Sequence, residues 1–215
     1  AEEIAQRLRS TFSVIQEAVS HKKDPVATLE NQRHEEAFLE KGKTIISDIQ
    51  TFAGQTFQTA VEAWINTSEF REEVWQGCIV NKEGAAQVGY MLRAGSNGIL
   101  NFNVGGNSAW NEVNSPEGTL KLNQWQHVAG SFDGQILSLY VNGYIVAVDT
   151  LDAAITIGDT DENLFIGSSA FNPNRTVNGS LGEVRVWNVV RDHQTIASSM
   201  NDRMNGDEAG LVGYY

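Results

Sequence analysis

From residue 61 onward, apolar positions recur with a period of two, punctuated by glycine and Asn or Asp turns. The clearest run is Trp125 to Val148. Val128, Gly130 and Phe132 alternate before Asp133-Gly134. Leu137, Leu139 and Val141 alternate before Asn142-Gly143. Ile145, Ala147 and Asp149 follow on one parity, Val146 and Val148 on the other. Successive side chains of an extended strand point to opposite faces, and Asp-Gly and Asn-Gly accept positive φ at both central positions of a two-residue turn. The stretch therefore predicts a three-stranded antiparallel meander. The same signals predict a strand at Val61–Asn66 and a hairpin of Tyr90–Ala94 with Leu100–Val104 across Gly95-Ser96-Asn97-Gly98. Gly105 to Gly118, rich in Asn and Gly and containing Trp110, reads as a long loop, as does 172–179. Asp192 opens a short helix with Ile196 and Met200 on its inner side.

The first fifty residues follow another period. Ile4, Leu8, Phe12, Ile15 and Val19 form one stripe of a helix over about 2–22, because helical neighbours on one face recur every three to four residues. Asp24-Pro25 ends that pattern and suits the N-cap and first position of a second helix over about 25–50. This helix is polar from Glu30 to Glu36 and apolar at Phe38, Leu39, Ile45, Ile46 and Ile49. The prediction is a helical hairpin over 1–50, serving docking or self-assembly, followed by a β-sandwich over 51–215.

Charge narrows the partners. The chain of 215 residues carries a formal net charge of -12, so its field repels nucleic acid and anionic membrane surfaces. No apolar run is long enough to span a bilayer. The single cysteine, Cys78, cannot form an internal disulfide and stands beside Ile79 and Val80 as a small core residue.

The block W-x-H-V-A-x-x-F-D-G-x-x-L-x-L-Y-V-N-G over 125–143 resembles the central hairpins of laminin-G-like jelly rolls of the concanavalin A-like lectin/glucanase superfamily, to which pentraxins are also similar. Val61–Ile65, Ile79–Lys82, Leu164–Ser169, Gly179–Asn188 and Gly210–Tyr215 match at the expected distances. The resemblance implies a mainly β fold, two antiparallel sheets in a jelly-roll sandwich. It also implies a lectin-like recognition module at the cell surface or outside the cell. Fold alone does not carry function, so the residues must be read for chemistry.

Glycosidases of this shape place two carboxylates at alternating positions of one strand. No strand here does so, and Glu183 in LGEVRVW has no acidic partner two residues away. The chain is therefore read as no enzyme. His127 reads as a strand histidine packed by Trp125, and Trp64, Trp125 and Trp187 as core. Calcium positions implied by the resemblance are unfilled: Ser168–Phe171 carries no carboxylate, and Gly182 stands where many relatives have Asp. One acidic turn remains, with Asp159, Asp161 and Asn163 as the only calcium candidates; no cofactor is expected. Trp110 with Asn111, and the Asn172, Asn174 and Arg175 loop, are the candidate ligand-binding residues. A tryptophan can stack on a sugar ring while amides bond its hydroxyls, and a guanidinium adds a forked donor. Two further readings stand beside a glycan- or protein-binding module: a subunit of a surface filament, fibre or layer assembled through the helices, and a glycan-active enzyme.

Overall fold

The computed structural model describes residues 58–215, and the helical hairpin predicted over 1–50 lies outside the described residues. The strands run, in chain order, β1 (Thr59–Glu69), β2 (Cys78–Gly84), β3 (Val88–Gly95), β4 (Ile99–Gly106), β5 (Ala109–Asn114), β6 (Gln126–Phe132), β7 (Ile136–Val141), β8 (Tyr144–Thr150), β9 (Phe165–Ile166), β10 (Asn178–Trp187) and β11 (Leu211–Tyr214). A helix α1 (His193–Ser199) lies between the last two. They form a six-stranded sheet ordered β11-β10-β1-β6-β7-β8 and a five-stranded sheet ordered β5-β4-β3-β2-β9. Every pairing is antiparallel.

The alternating residues do what their period predicts. Val128, Phe132, Leu137, Leu139 and Val141 line the inner face of the six-stranded sheet, with Val61, Ala63 and Ile65 of β1. Leu92, Ala94, Leu100, Phe102 and Val104 face them from the other sheet. Burying each large apolar side chain is worth roughly 1.5–3 kcal/mol. Gly130 is a fitted position in this layer: a Cβ there would lie 2.4 Å from the Phe102 ring. The ring seats across the sheet interface because that side chain is missing.

The turns correct the sequence reading in two places. Asn142-Gly143 has φ of 50° and 81°, the left-handed pair of the expected tight hairpin. At Asp133-Gly134 only Gly134 (φ 110°) is left-handed. The Asp133 carboxylate instead accepts from the backbone N–H groups of Gln135 and Ile136 at 2.8 and 2.7 Å, making a three-residue connection. The predicted loop over 105–118 is largely strand. Asn107 and Ser108, at φ 54° and 60°, make a two-residue turn that folds β5 back on β4. A register shift in the β7–β8 pairing, between Leu139 and Tyr140, brings both Val146 and Ala147 against the core.

The outer face of the six-stranded sheet is closed by the chain that follows β10. Ile196 of α1 packs with Ala129 and Tyr140, and Met204 with Ala60 and Trp187. Asp192 caps α1 by accepting from the Thr195 N–H at 2.8 Å. Beneath this cover lies a charge cluster. Glu62, His127 and Arg185 are wholly buried and Arg191 nearly so. Glu62 Oε1 accepts from Arg191 Nε at 3.0 Å, and Glu62 Oε2 stands 3.2 Å from His127 Nε2 and 3.8 Å from Arg185 Nη1. Burial pushes the Glu62 carboxyl up, but His127 and Arg191 outweigh it and hold the group below its ordinary value. Arg185 donates to the Ser199, Met200 and Asp202 carbonyls, and Trp64 Nε1 donates to Met200 O at 2.9 Å. These bonds take up carbonyls that the end of a helix leaves open. His127 is thus a packed strand histidine. Its aromatic neighbour is Trp64, at 5.6 Å between ring centroids and edge-on. Trp125, expected in the core, is 51% exposed.

Candidate functional site

The outer face of the five-stranded sheet has a different make-up. Because Leu100, Phe102 and Val104 point inward, Asn101, Asn103 and Gly105 point outward, and register carries that parity across the sheet. Asn114 of β5 lies opposite Asn101, Glu112 opposite Asn103 and Trp110 opposite Gly105. On the other side of β4, Arg93, Met91 and Gly89 of β3 stand opposite Asn101, Asn103 and Gly105. Asn81 and Glu83 of β2 continue the face from Met91 and Gly89. The side chains on this outward parity are amides, two carboxylates, an arginine, a methionine and a tryptophan.

Hydrogen bonds tie five of them, Arg93, Asn101, Asn103, Glu112 and Asn114, into one network. Arg93 Nε donates to Asn101 Oδ1 at 2.9 Å, and Arg93 Nη2 to Glu112 Oε2 at 3.4 Å. Glu112 Oε2 also accepts from the side-chain amides of Asn101 and Asn103 at 3.1 and 3.2 Å. Asn101 Nδ2 donates to Asn114 Oδ1 at 2.8 Å. Arg93, Asn101 and Asn103 are buried, whereas the Glu112 side chain is 50% exposed. The buried members thus hold a half-exposed carboxylate in place. Asn103 Oδ1 is buried without a partner among the described residues. Desolvation draws the Arg93 guanidinium below its ordinary value, with Cys78 and Glu112 opposing.

At the far edge of the same face, Arg175 Nη1 donates to Glu83 Oε2 and Oε1 at 3.0 and 3.3 Å, and its guanidinium carbon lies 5.0 Å from the centre of the Trp75 ring. Asn172 shapes this loop: its carbonyl accepts from Arg175 N and its side chain from Asn174 N. Trp110 and Arg175 therefore share a face but not a position. Trp110, Gly105, Gly89 and Glu83 form one cross-strand row, and β5 and β2 are three strand spacings apart, about 14 Å. Asn111 falls on the opposite parity, paired with Val104, so the outward neighbours of Trp110 along β5 are Glu112 and Asn114. Glu112, Arg93, Asn101 and Asn103 are the members that the sequence reading passed over.

A laminin-G-type family model matches residues 40–197, with the description concanavalin A-like lectin/glucanases superfamily. The chain belongs to that superfamily. Among solved structures, a Bacteroides ovatus protein with a provisional assignment as carbohydrate-binding is 26% identical, with a TM-score of 0.59 over 74% of this chain and 45% of its own. A heptameric SAP-like pentraxin from Limulus polyphemus is 21% identical, with a TM-score of 0.51 over 74% of this chain and 78% of its own; at that identity it speaks for the fold alone. Pappalysin-1 of Mus musculus is 31% identical over 83 residues, 37% of this chain and 5% of that protein. The chain thus spans less than half of the Bacteroides protein and about a twentieth of pappalysin-1.

Within this lectin-like sandwich the remaining candidates are placed as follows. In the acidic turn, Asp159 accepts from Thr160 N at 2.9 Å, and Lys82 Nζ donates to the Thr160 and Glu162 carbonyls at 3.1 and 2.9 Å. An ammonium group thus sits on carbonyl oxygens of the turn that carries Asp159, Asp161 and Asn163. Among the described residues no three or more His, Cys, Asp or Glu side chains gather as metal ligands. Glu183 adopts φ 50° in β10 and accepts from the Tyr214 hydroxyl. Cys78 is a buried free thiol, pushed up by burial. A cavity of about 170 Å³ at one end of the sandwich is lined by Lys82, Tyr90, Ile157, Val186 and Trp187 among others. Burial pushes the Tyr90 hydroxyl up to about 12, so it stays protonated.

Proposed function

We propose that the domain is a non-catalytic recognition module, acting at the cell surface or outside the cell, that binds glycan on the outer face of the five-stranded sheet. The observation that carries this reading is the pair Trp110 and Glu112. They project from one edge strand to one side, and the carboxylate is held by three donors from below. An aromatic face takes the C–H side of a sugar ring, and a positioned carboxylate accepts from its hydroxyls. Glycan binding also agrees with the carbohydrate-binding assignment of the Bacteroides relative.

Two features favour binding over turnover. Glu112 and Glu83, the carboxylates of this face, rise from strands about 14 Å apart, beyond the 5–9.5 Å or so that paired glycosidase carboxylates span. Each is also bonded to an arginine. Binding is expected without calcium, because Lys82 already engages the carbonyls of the acidic turn. A glycan array probed with the intact chain tests the proposal. Retention of at least one saccharide, reduced by Trp110→Ala and unaffected by EDTA, supports it. Silence across the array, or hydrolysis of a bound glycan, overturns it.

A further inference from the structure

We infer that the saccharide accepted by this face is uncharged and that Glu112 selects it. The inference rests on the glycan-binding reading above.

Glu112 turns one carboxylate oxygen inward and one toward solvent. Its Oε2 takes donors from Arg93, Asn101 and Asn103. Its Oε1 has no hydrogen-bond partner among the described residues, and the side chain is 50% exposed. An ionised carboxylate oxygen only accepts. A ligand group that replaces water at this oxygen must therefore donate, which a sugar hydroxyl does and an ionised carboxylate does not. A uronate, sialate or sulfate would bring another negative charge against Glu112.

Among the described residues, the two guanidinium groups of this face are already engaged. Arg93 is bonded to Asn101 and Glu112, and Arg175 to both oxygens of Glu83. Two guanidinium groups thus answer two carboxylates, leaving no excess positive charge among these residues. The whole chain adds a repulsive field, with a formal net charge of -12. Trp110, two residues before Glu112 on the same side of β5, offers an apolar ring to a sugar face that carries no charge.

The test is isothermal titration of the intact protein with saccharides that differ in charge. Lactose, cellohexaose, xylohexaose and mannohexaose are set against 3′-sialyllactose and hexagalacturonate. The expected result is binding of at least one neutral probe and none of the acidic ones. Binding of an acidic probe with every neutral one silent overturns this inference and leaves the glycan-binding reading standing. Silence of all of them, repeated on a wide array, overturns both. Glu112→Gln keeps the shape and replaces an acceptor with an amide. It is expected to weaken the neutral probe at least tenfold while the melting temperature stays within about 2 °C of the parent. Unchanged affinity in that variant overturns the role of Glu112.

Discussion

The two outer faces of this sandwich are built from the same ingredients and come to opposite ends. Each carries carboxylate, arginine and tryptophan side chains on neighbouring strands. On the six-stranded sheet, Glu62, His127 and Arg185 are roofed by residues 188–204 of the same chain; Arg185 donates to backbone carbonyls of the roof, and Arg191 of the roof donates back to Glu62. On the five-stranded sheet, Arg93 and its amides are buried while Glu112 reaches solvent. The lesson is that a charge cluster is not a site by composition. What decides is whether the chain itself encloses the carboxylate or leaves it within reach of solvent. The covered cluster holds the C-terminal segment in place; the half-exposed one is left with a carboxylate oxygen to offer.

The largest effect that could break this contrast is on stability. Glu62→Ala leaves Arg185 and Arg191 buried without their carboxylate, and breaking a buried pair costs about 3–5 kcal/mol. For a domain of this size that is a loss on the order of 10 °C in melting temperature, readable by circular dichroism. A shift under about 2 °C would mean that the covered cluster is as dispensable as an exposed one.

Acid should separate the faces next. The Glu62 carboxyl is lowered in the folded state from an ordinary value of 4.5. The stability it contributes is therefore fully present above about pH 4.5 and is lost as pH falls through its lower folded value. Fluorescence of Trp64 and Trp187, both next to the cluster, is expected to report loosening of the roof below pH 4.5. In Glu62→Gln that acid transition should flatten; an unchanged transition would place its origin elsewhere.

Binding gives the third comparison. Trp110→Ala should weaken a bound glycan at least tenfold, about 1.4 kcal/mol, with little change in melting temperature because the ring is only half-buried on an edge strand. The smallest effect is expected at the far edge of that face. Arg175→Ala removes a partly exposed ion pair with Glu83, worth about 0–1 kcal/mol, and should alter melting by no more than a few degrees. A larger loss of glycan affinity there than at Trp110 would move the centre of the site to the β2 side.

Period and turn chemistry made the sandwich readable, down to the inward parity of Val128, Phe132, Leu137 and Leu139. The site was legible only in part, for two physical reasons. Asn107-Ser108 lacks the glycine that marks a left-handed turn, so β5 read as loop and the alternation of Trp110, Glu112 and Asn114 went unused. The network of Arg93, Asn101 and Glu112 depends on register across three strands, and no local pattern specifies which residue of one strand faces which of the next. Trp125 departs from the core for a related reason: it directly precedes β6, outside the strand block with which it was grouped.

The position of β5 at the edge of its sheet has one more consequence. An edge strand has a neighbour on one side only, so every second amide of Ala109–Asn114 lacks a ladder partner. Deuterium uptake along these six residues should therefore be fast and uneven, with slow and quick positions alternating. A ligand seated on Trp110 and Glu112 would restrain the strand that carries it, and the quick positions would slow. The site thus contains its own occupancy gauge, which can be read by exchange mass spectrometry on the unlabelled, unmutated protein.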